Sequence, residues 1–216
     1  MSDTRFAGLT TATVSDALDR LGIPGALLGL RPLADGIRMC GPAFTVRYVR
    51  VGAVPGTVGD YLDDVPSGSV VVLDNGGAED CTVWGDILTA MAVDRDVAGT
   101  VIDGVCRDVN RALEVGYPIF SRGRFMRTGK DRVEVAEVNG PVTVGGERVE
   151  PGDWLLGDSD GVVAIRRDVV DDVEMIAREI DERESAIVQQ VLSGRTLAAA
   201  RSSQGYHELQ RTRVSP

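Results

Sequence analysis

Two short runs constrain this chain more than anything else in it: "VVVLDNGG" (70–77) and "AGTVIDG" (98–104). Each is a β-branched, apolar stretch of strand length that ends in turn-forming residues, which reads as a buried strand running into a loop. Each is followed by a helical pattern. "WGDILTAMAVDRDV" opens near Gly85, and "CRDVNRALEVG" closes at Gly116. Buried strands alternating with helices define an α/β domain, and ligands of open α/β sheets sit beyond the carboxyl ends of the strands, where such junctions cluster.

The other segments fit around this unit. "VSDALDRLG" reads as a helix that Thr13 or Ser15 can cap and that ends at Gly22. "PGALLGLRPL" is a loop, "GPAFTVRYVRV" (41–51) an alternating strand, "GDYLDDVPSGS" a short helix and turn, and "YPIF" a short strand. From Asp131 to Ile165, turns at Asn139-Gly140, Gly145-Gly146 and Asp160-Gly161 predict a β-meander packed with hairpins. From Arg167 to about Leu192 the chain returns to helix, with Val170, Val173, Ile176, Ile180 and Ile187 as its apolar stripe. A polar tail follows. The expectation is one domain over 1–216, with a core of about 10–166 and a helical extension over 167–216.

Charge and composition exclude several classes. A net charge of −10 opposes binding to a phosphate backbone or to anionic lipid. No apolar run is long enough to span a bilayer, and "MSDTRFAGLTTATVSDALDRLG" lacks a basic start and apolar stretch, so a cytoplasmic protein is expected. Cys40, Cys81 and Cys106 form no CxxC pair and read as small buried hydrophobes; Trp84 and Trp154 read as core or interface packing. The chain has one histidine, His207, and one lysine, Lys130, the latter in the polar stretch "RTGKDR". A Ser-His-Asp triad, a histidine-rich zinc site or a Schiff-base lysine is therefore poorly provided for. Chemistry here has to use carboxylates, arginine, backbone amides and an oxygen-ligated metal.

The second junction sets Arg107 beside Asp108 at the top of the helix that follows. Two readings stand. In the local one, Asp103-Gly104 is a turn, Asp108 caps the helix through its carboxylate, Gly76-Gly77 only turns the chain, and Asp86 complements the dipole of its own helix. In the functional one, the free amides near Gly85, Ile87 and Leu88 form an anion site suited to a carboxylate, with Arg107 and Asp108 facing the same ligand. The basic stretch "FSRGRFMRTGKDR", with Arg122, Arg124, Arg127, Lys130 and Arg132, divides likewise: a positive mouth for distal carboxylates, or a solvated or subunit-contact loop.

Asp86 and the Arg107-Asp108 pair are spaced as D-x20-R-D. With "TATVSDALDRLG", "NGG", "WGDIL" and "VIDGVCRDV", the chain resembles, over roughly residues 10–195, the 4-hydroxy-4-methyl-2-oxoglutarate / 4-carboxy-4-hydroxy-2-oxoadipate aldolase family. That family shares its fold with the regulator of ribonuclease activity A, and some relatives carry a demethylmenaquinone methyltransferase label. The resemblance implies an α-β-β-α sandwich (swivelling-domain-like) with a β-meander half and a C-terminal helical extension. It also implies a homotrimer or dimer of trimers, with the site at a subunit boundary. Carried over, Asp108 would ligate a divalent metal, Mg2+ or Mn2+. Asp86 would hold a metal-bound water, and Arg107 would grip the carboxylate and keto oxygen of a 2-oxo acid. The amides near Gly85, Asp86, Ile87 and Leu88 would bind that carboxylate. Hard cations favour such oxygen donors and retain water. The implied reaction is pyruvate-releasing cleavage of 4-hydroxy-2-oxo acids, with oxaloacetate decarboxylation through the same enolate. Glu182 or Glu184 of the last helix could reach a neighbour's metal.

A non-enzymatic, protein-binding regulator resembling the ribonuclease regulators is the alternative. Two features favour the lyase: Asp108 follows the arginine, and the chain continues beyond the meander through a long helix. A methyltransferase is rejected, because the glycines after "VVVLD" make no G-x-G-x-x-G fingerprint.

Overall fold

The computed structural model describes residues 5–53 and 56–206. His207 lies outside them. The elements are α1 (Thr11–Leu21), β1 (Arg31–Pro32), β2 (Met39–Arg50), a 3-10 turn (Asp60–Asp64), β3 (Val70–Thr82), α2 (Asp86–Asp94), β4 (Gly99–Cys106) and α3 (Val109–Val115). They continue with β5 (Ile119–Arg124), β6 (Val133–Val138), β7 (Val142–Val144), β8 (Glu147–Val149), β9 (Trp154–Asp158), β10 (Gly161–Ile165), α4 (Val170–Leu192) and α5 (Leu197–Ser203). No described helix is long and apolar enough to cross a membrane.

The sheet runs β1-β5-β4-β3-β2-β9-β10, with β6 also on β2. The runs 70–77 and 98–104 become its centre: β3 pairs parallel with β4, Val70 to Asp74 lying opposite Gly99 to Asp103. Their side chains alternate between two cores. Val71, Leu73 and Ile102 face the apolar cluster under α2 and α3, and Val70, Val72 and Val101 face a second cluster against Leu155, Val162 and Ala164. On β9 and β10 the opposite faces, Leu156, Val163 and Ile165, pack on Val14, Leu18, Val173 and Ile180 of α1 and α4. Helices, sheet, sheet, helices: the molecule is an α-β-β-α sandwich, and period-two alternation in each inner strand builds it.

Several boundaries differ from the expectation. The Asp103-Gly104 pair is no turn: β4 runs straight through it, and β3 likewise continues past Gly76-Gly77 to Thr82 with two register shifts. The meander is looser than predicted. β7 and β8 form a hairpin whose Gly145 and Gly146 both take positive φ, as a two-residue turn of that twist requires, and β9 and β10 form another. The latter turns on Ser159 and Asp160, since Gly161 is already paired with Asp158. Asn139-Gly140 makes no hairpin, because β6 pairs with β2 and the Asn139 amide bonds to the Thr45 carbonyl.

The cap of α1 is Thr10, not Thr13 or Ser15; its hydroxyl accepts from the Thr13 amide at 3.1 Å. The earlier start has a distant cause. Asp158, at the end of β9, accepts from the Thr11 amide at 2.8 Å and the Thr11 hydroxyl at 2.6 Å. Burial pushes the Asp158 carboxyl up, but the bonds from Thr11 and Asp160 and the nearby Arg38 outweigh it, holding it below its ordinary value. A carboxyl depressed on folding stabilises above its unfolded pKa of about 3.9 and ceases to as pH falls through the folded value. Asp158→Ala should therefore cost roughly 2–4 kcal/mol near neutral pH. In thermal melts from pH 6 to 2, the gap to wild type should close below about pH 4; a gap independent of pH would contradict this role.

Candidate active site

The end of β3 and the end of β4 deliver their chains to the same place. Val83 and Trp84 turn inward and are buried, and Trp84 lies parallel to Tyr117, ring centroids 6.1 Å apart. The Arg107 amide donates to the Trp84 carbonyl at 3.0 Å, so the two strand-to-helix junctions are joined by backbone. The Trp84 indole N–H donates to the Thr89 hydroxyl at 2.9 Å, which in turn donates to the Gly85 carbonyl at 3.0 Å. Gly85, the N-cap of α2, has no side chain to satisfy that helix end, and its position is fixed from beneath by this buried relay.

Asp108 occupies the N-cap position of α3, yet it does not cap. Its backbone is left-handed (φ 52, ψ 35), and its carboxylate makes no capping hydrogen bond. A non-glycine residue held in that conformation carries a cost of about 1 kcal/mol or more, and such strain concentrates at functional sites. The turn swings the carboxylate toward α2. Oδ2 stands 3.2 Å from Arg107 Nε, and a Cβ added to Gly85 would come within 2.9 Å of that oxygen and 3.4 Å of that nitrogen. The local reading of Asp108 as a helix cap is thereby overturned. The carboxylate, the guanidinium and the open end of α2 meet at a glycine because no other residue leaves room.

Asp86, the first residue of α2, is exposed, and its Oδ1 accepts from the Ile87 amide at 2.9 Å. That amide is thus held by its own neighbour, and the Asp86 and Leu88 amides are left for an incoming anion. Gly85, Asp86, Ile87, Leu88 and Arg107 all line one cleft of about 510 Å3. Asp108 opens instead onto an adjoining hollow of about 280 Å3, whose wall it shares with Arg107 and Met126. Arg107 connects the two. Its side chain and that of Asp108 remain 39% and 41% exposed, enough to meet a ligand.

The donor set suits a hard cation held sparingly. No three His, Cys, Asp or Glu side chains converge among the described residues, so an ion at this junction would have Asp108 as its protein ligand and water for the rest of its shell. One or two carboxylates with water completing the shell is the habit of Mg2+. Glu182 and Glu184 sit on α4, in the outer layer opposite α2 and α3, and do not line the cleft of their own chain. Burial, with Asp16 and Asp181 beside it, pushes the Glu184 carboxyl up.

The basic stretch does not act as one patch. Arg122 is ion-paired with the buried Asp103, Arg124 donates to the Leu33 carbonyl at 2.6 Å, Arg127 lies over the Phe125 ring, and Arg132 donates to backbone carbonyls of its own turn. Lys130 alone of the five lines the cleft. Sequence reasoning missed Asp103, which also accepts from the Gly145 amide at 3.1 Å and so ties β4 to the β7–β8 turn. The short helix and turn read from "GDYLDDVPSGS" is the 3-10 turn, but the sequence did not place it, with Val58 and Gly59, as the roof of the cleft. Thr89 was findable, since a threonine four residues after a helix start can bond back to that carbonyl.

The sequence profile of the RraA-like family, described as Aldolase/RraA, matches residues 11–164. A crystal structure of an uncharacterized protein from Pseudomonas syringae pv. tomato superposes with a TM-score of 0.86 at 43% identity, covering 91% of this chain and 94% of that one. Protein DlpA of Legionella pneumophila is 39% identical over 201 residues, 92% of this chain, although the chain spans only 33% of DlpA's length. A protein provisionally named 4-hydroxy-4-methyl-2-oxoglutarate aldolase in Halalkalibacterium halodurans is 32% identical over 196 residues, 88% of this chain and 90% of that protein.

Gly85→Ala tests the convergence directly. Gly85 is extended (φ −148), so alanine costs the backbone little, but the new methyl group must displace Asp108 or Arg107. Melting should shift by only a few degrees, while Mn2+ affinity measured by calorimetry should fall on the order of tenfold or more, as for a disturbed metal shell. Unchanged affinity would show that the carboxylate can give way freely.

Proposed function

The chain belongs to the RraA-like family (Aldolase/RraA), and from that premise we propose that it is a metal-dependent aldolase releasing pyruvate from 4-hydroxy-2-oxo acids of the 4-hydroxy-4-methyl-2-oxoglutarate type, with oxaloacetate decarboxylation as a second activity. The observation that carries this reading is the Asp108 carboxylate, released from capping and packed with Arg107 against Gly85 at the open end of α2.

In this reading the 2-oxo acid's carboxylate rests on the free amides at the start of α2, where the helix dipole favours an anion. Arg107 spans one carboxylate oxygen and the keto oxygen with its planar fork, an arrangement a lysine's point charge cannot copy. Mg2+ or Mn2+ on Asp108 would supply Lewis-acid polarisation of the 2-oxo group. Cleavage breaks the C3–C4 bond, whose electron pair moves into pyruvate as its enolate while C4 becomes a carbonyl. Arg107 donates to the oxygen on which that negative charge grows. The Asp86 carboxylate takes the 4-hydroxyl proton through the water it holds, and the same proton is returned to C3 before pyruvate leaves. Oxaloacetate loses CO2 through the same enolate. Ile87 and Met126, 78% and 76% exposed beside the site, support an assembly, a homotrimer or dimer of trimers, that brings this rim to a subunit boundary.

Pyruvate release from 4-hydroxy-4-methyl-2-oxoglutarate and from oxaloacetate should vanish on exhaustive chelation and return with Mg2+ or Mn2+; turnover that survives chelation would contradict the metal. Arg107→Lys, at confirmed metal saturation, should lower kcat at least about a hundredfold, the scale of one lost oxyanion donor. A protein that acts only by binding other proteins would show no such turnover, and an ornamental surface ion pair would make the change nearly neutral. Asp108→Ala should abolish Mn2+ binding, whereas Asp86→Ala should keep most of the affinity and slow the reaction. Equal losses of binding in both variants would refute the division of roles.

A further inference from the structure

The cleft has two unlike ends. Arg107, Asp86 and the start of α2 make the polar one; Val58, Leu62, Leu88 and Met91 make the other, over a floor that includes Trp84. We propose that this apolar end takes an alkyl group on the substrate's C4, so that acids with a longer alkyl chain there bind more tightly than acids whose only 4-substituent is a carboxylate. The inference rests on the aldolase reading and names its substrate class.

Leu88 and Met91 are three residues apart and share one face of α2, and Met91 lies about 7.5 Å along the axis from Asp86, the reach of an extended chain of several carbons. The 3-10 turn closes over them. Gly59 sits so near that an added Cβ would be 2.8 Å from the Leu88 side chain, and Leu62 of the turn is fully buried. At about 510 Å3 the cleft falls within the range of small-ligand sites, and it is larger than a pyruvyl group alone requires.

Charge points the same way. Asp60 and Asp63, both on the 3-10 turn, line the cleft, and Asp63 is paired with Arg95 at 3.2 Å. Asp60 is left to offset Lys130, so no net positive charge awaits a distal carboxylate. The arginines that might have outweighed the acids are engaged elsewhere: Arg122 on Asp103, Arg124 on the Leu33 carbonyl, and Arg132 on its own turn. An alkyl chain has no such conflict and buries its surface on Val58, Leu88 and Met91, at about fourfold in affinity for each methylene removed from water.

The test uses the full chain with Mg2+ and unreactive 2-oxo acids as probes, titrated by calorimetry. From pyruvate through 2-oxobutanoate and 2-oxopentanoate to 2-oxohexanoate, Kd should fall about fourfold per methylene. 2-Oxoglutarate should bind more weakly than 2-oxohexanoate. Met91→Gln, close to methionine in volume, should flatten the series, and Met91→Leu should restore its slope. Asp60→Asn, on the surface, should tighten 2-oxoglutarate severalfold. A flat alkyl series, or 2-oxoglutarate as the tightest ligand, overturns the inference. Pyruvate release is then compared for 4-hydroxy-2-oxohexanoate and 4-hydroxy-2-oxoglutarate. Release from the dicarboxylate with a flat binding series sinks the apolar end and keeps the aldolase. A rising series without release from any acid keeps the apolar end and sinks the aldolase.

Discussion

One hydrogen bond holds the site together: the Arg107 amide on the Trp84 carbonyl. Parallel pairing of β3 and β4 brings the two junctions near each other, but adjacent parallel strands diverge into separate helices unless something ties their exits. The bond makes the tie. Trp84 is in turn fixed by Tyr117 from one side and by Thr89 from the other, so the geometry at Gly85 derives from the buried face of the first helical layer rather than from solvent-exposed contacts. The salt bridge between Arg107 and Asp108 would count for little by itself, being two-fifths exposed. Its orientation matters because the backbone beneath it is hydrogen-bonded to the buried Trp84.

The sandwich layers reinforce this arrangement from the far side. Asp103 lies on β4, four residues before Arg107, and its pairing with Arg122 and the Gly145 amide anchors β4 to β5 and to the β7–β8 turn. Two aspartates thus serve opposite purposes within a few residues: Asp103 on β4 is buried and satisfied, whereas Asp108, just beyond the strand, is open and paired with Arg107. An aspartate freed of local hydrogen-bonding duties, in a backbone conformation that costs energy to maintain, is what a ligand-binding role predicts and a capping role does not.

Much of this was legible in the sequence, for identifiable reasons. β3, β4, α2, α3 and α4 follow from runs and periodicities in which local preference and tertiary burial agree, and the Gly145-Gly146 hairpin from two glycines at the positions its turn requires. The D-x20-R-D spacing put Asp86 and the Arg107-Asp108 pair at two junctions that the structure joins, and both junctions are local strand-to-helix events. What stayed hidden depended on distant partners. Asp103-Gly104 looks like a turn in any window of sequence, and only the pairing of β4 on both edges keeps it extended. Thr10 caps α1 because Asp158 waits for Thr11, and Asn139-Gly140 fails as a hairpin because β6 belongs to β2. The roof of the cleft was legible as a short helix and turn, but nothing local says that it folds over α2.

β2 changes partners along its length. Met39 to Pro42 pair with β9, and Val46 to Arg50 pair with β6 on that same side while β3 occupies the other. Seen from the ribosome, this ordering imposes a delay. The strands and helices that present Arg107 and Asp108 are contiguous in the chain and can begin to assemble as soon as they emerge. The first forty residues cannot, because α1 and the start of β2 find their places only against Trp154–Asp158, made more than a hundred residues later. Until then the apolar side chains Val14, Ala17 and Leu18 have nothing to cover them. The interval between synthesis of α1 and synthesis of β9 is therefore the period in which a nascent chain of this fold is most exposed to aggregation and most dependent on being shielded.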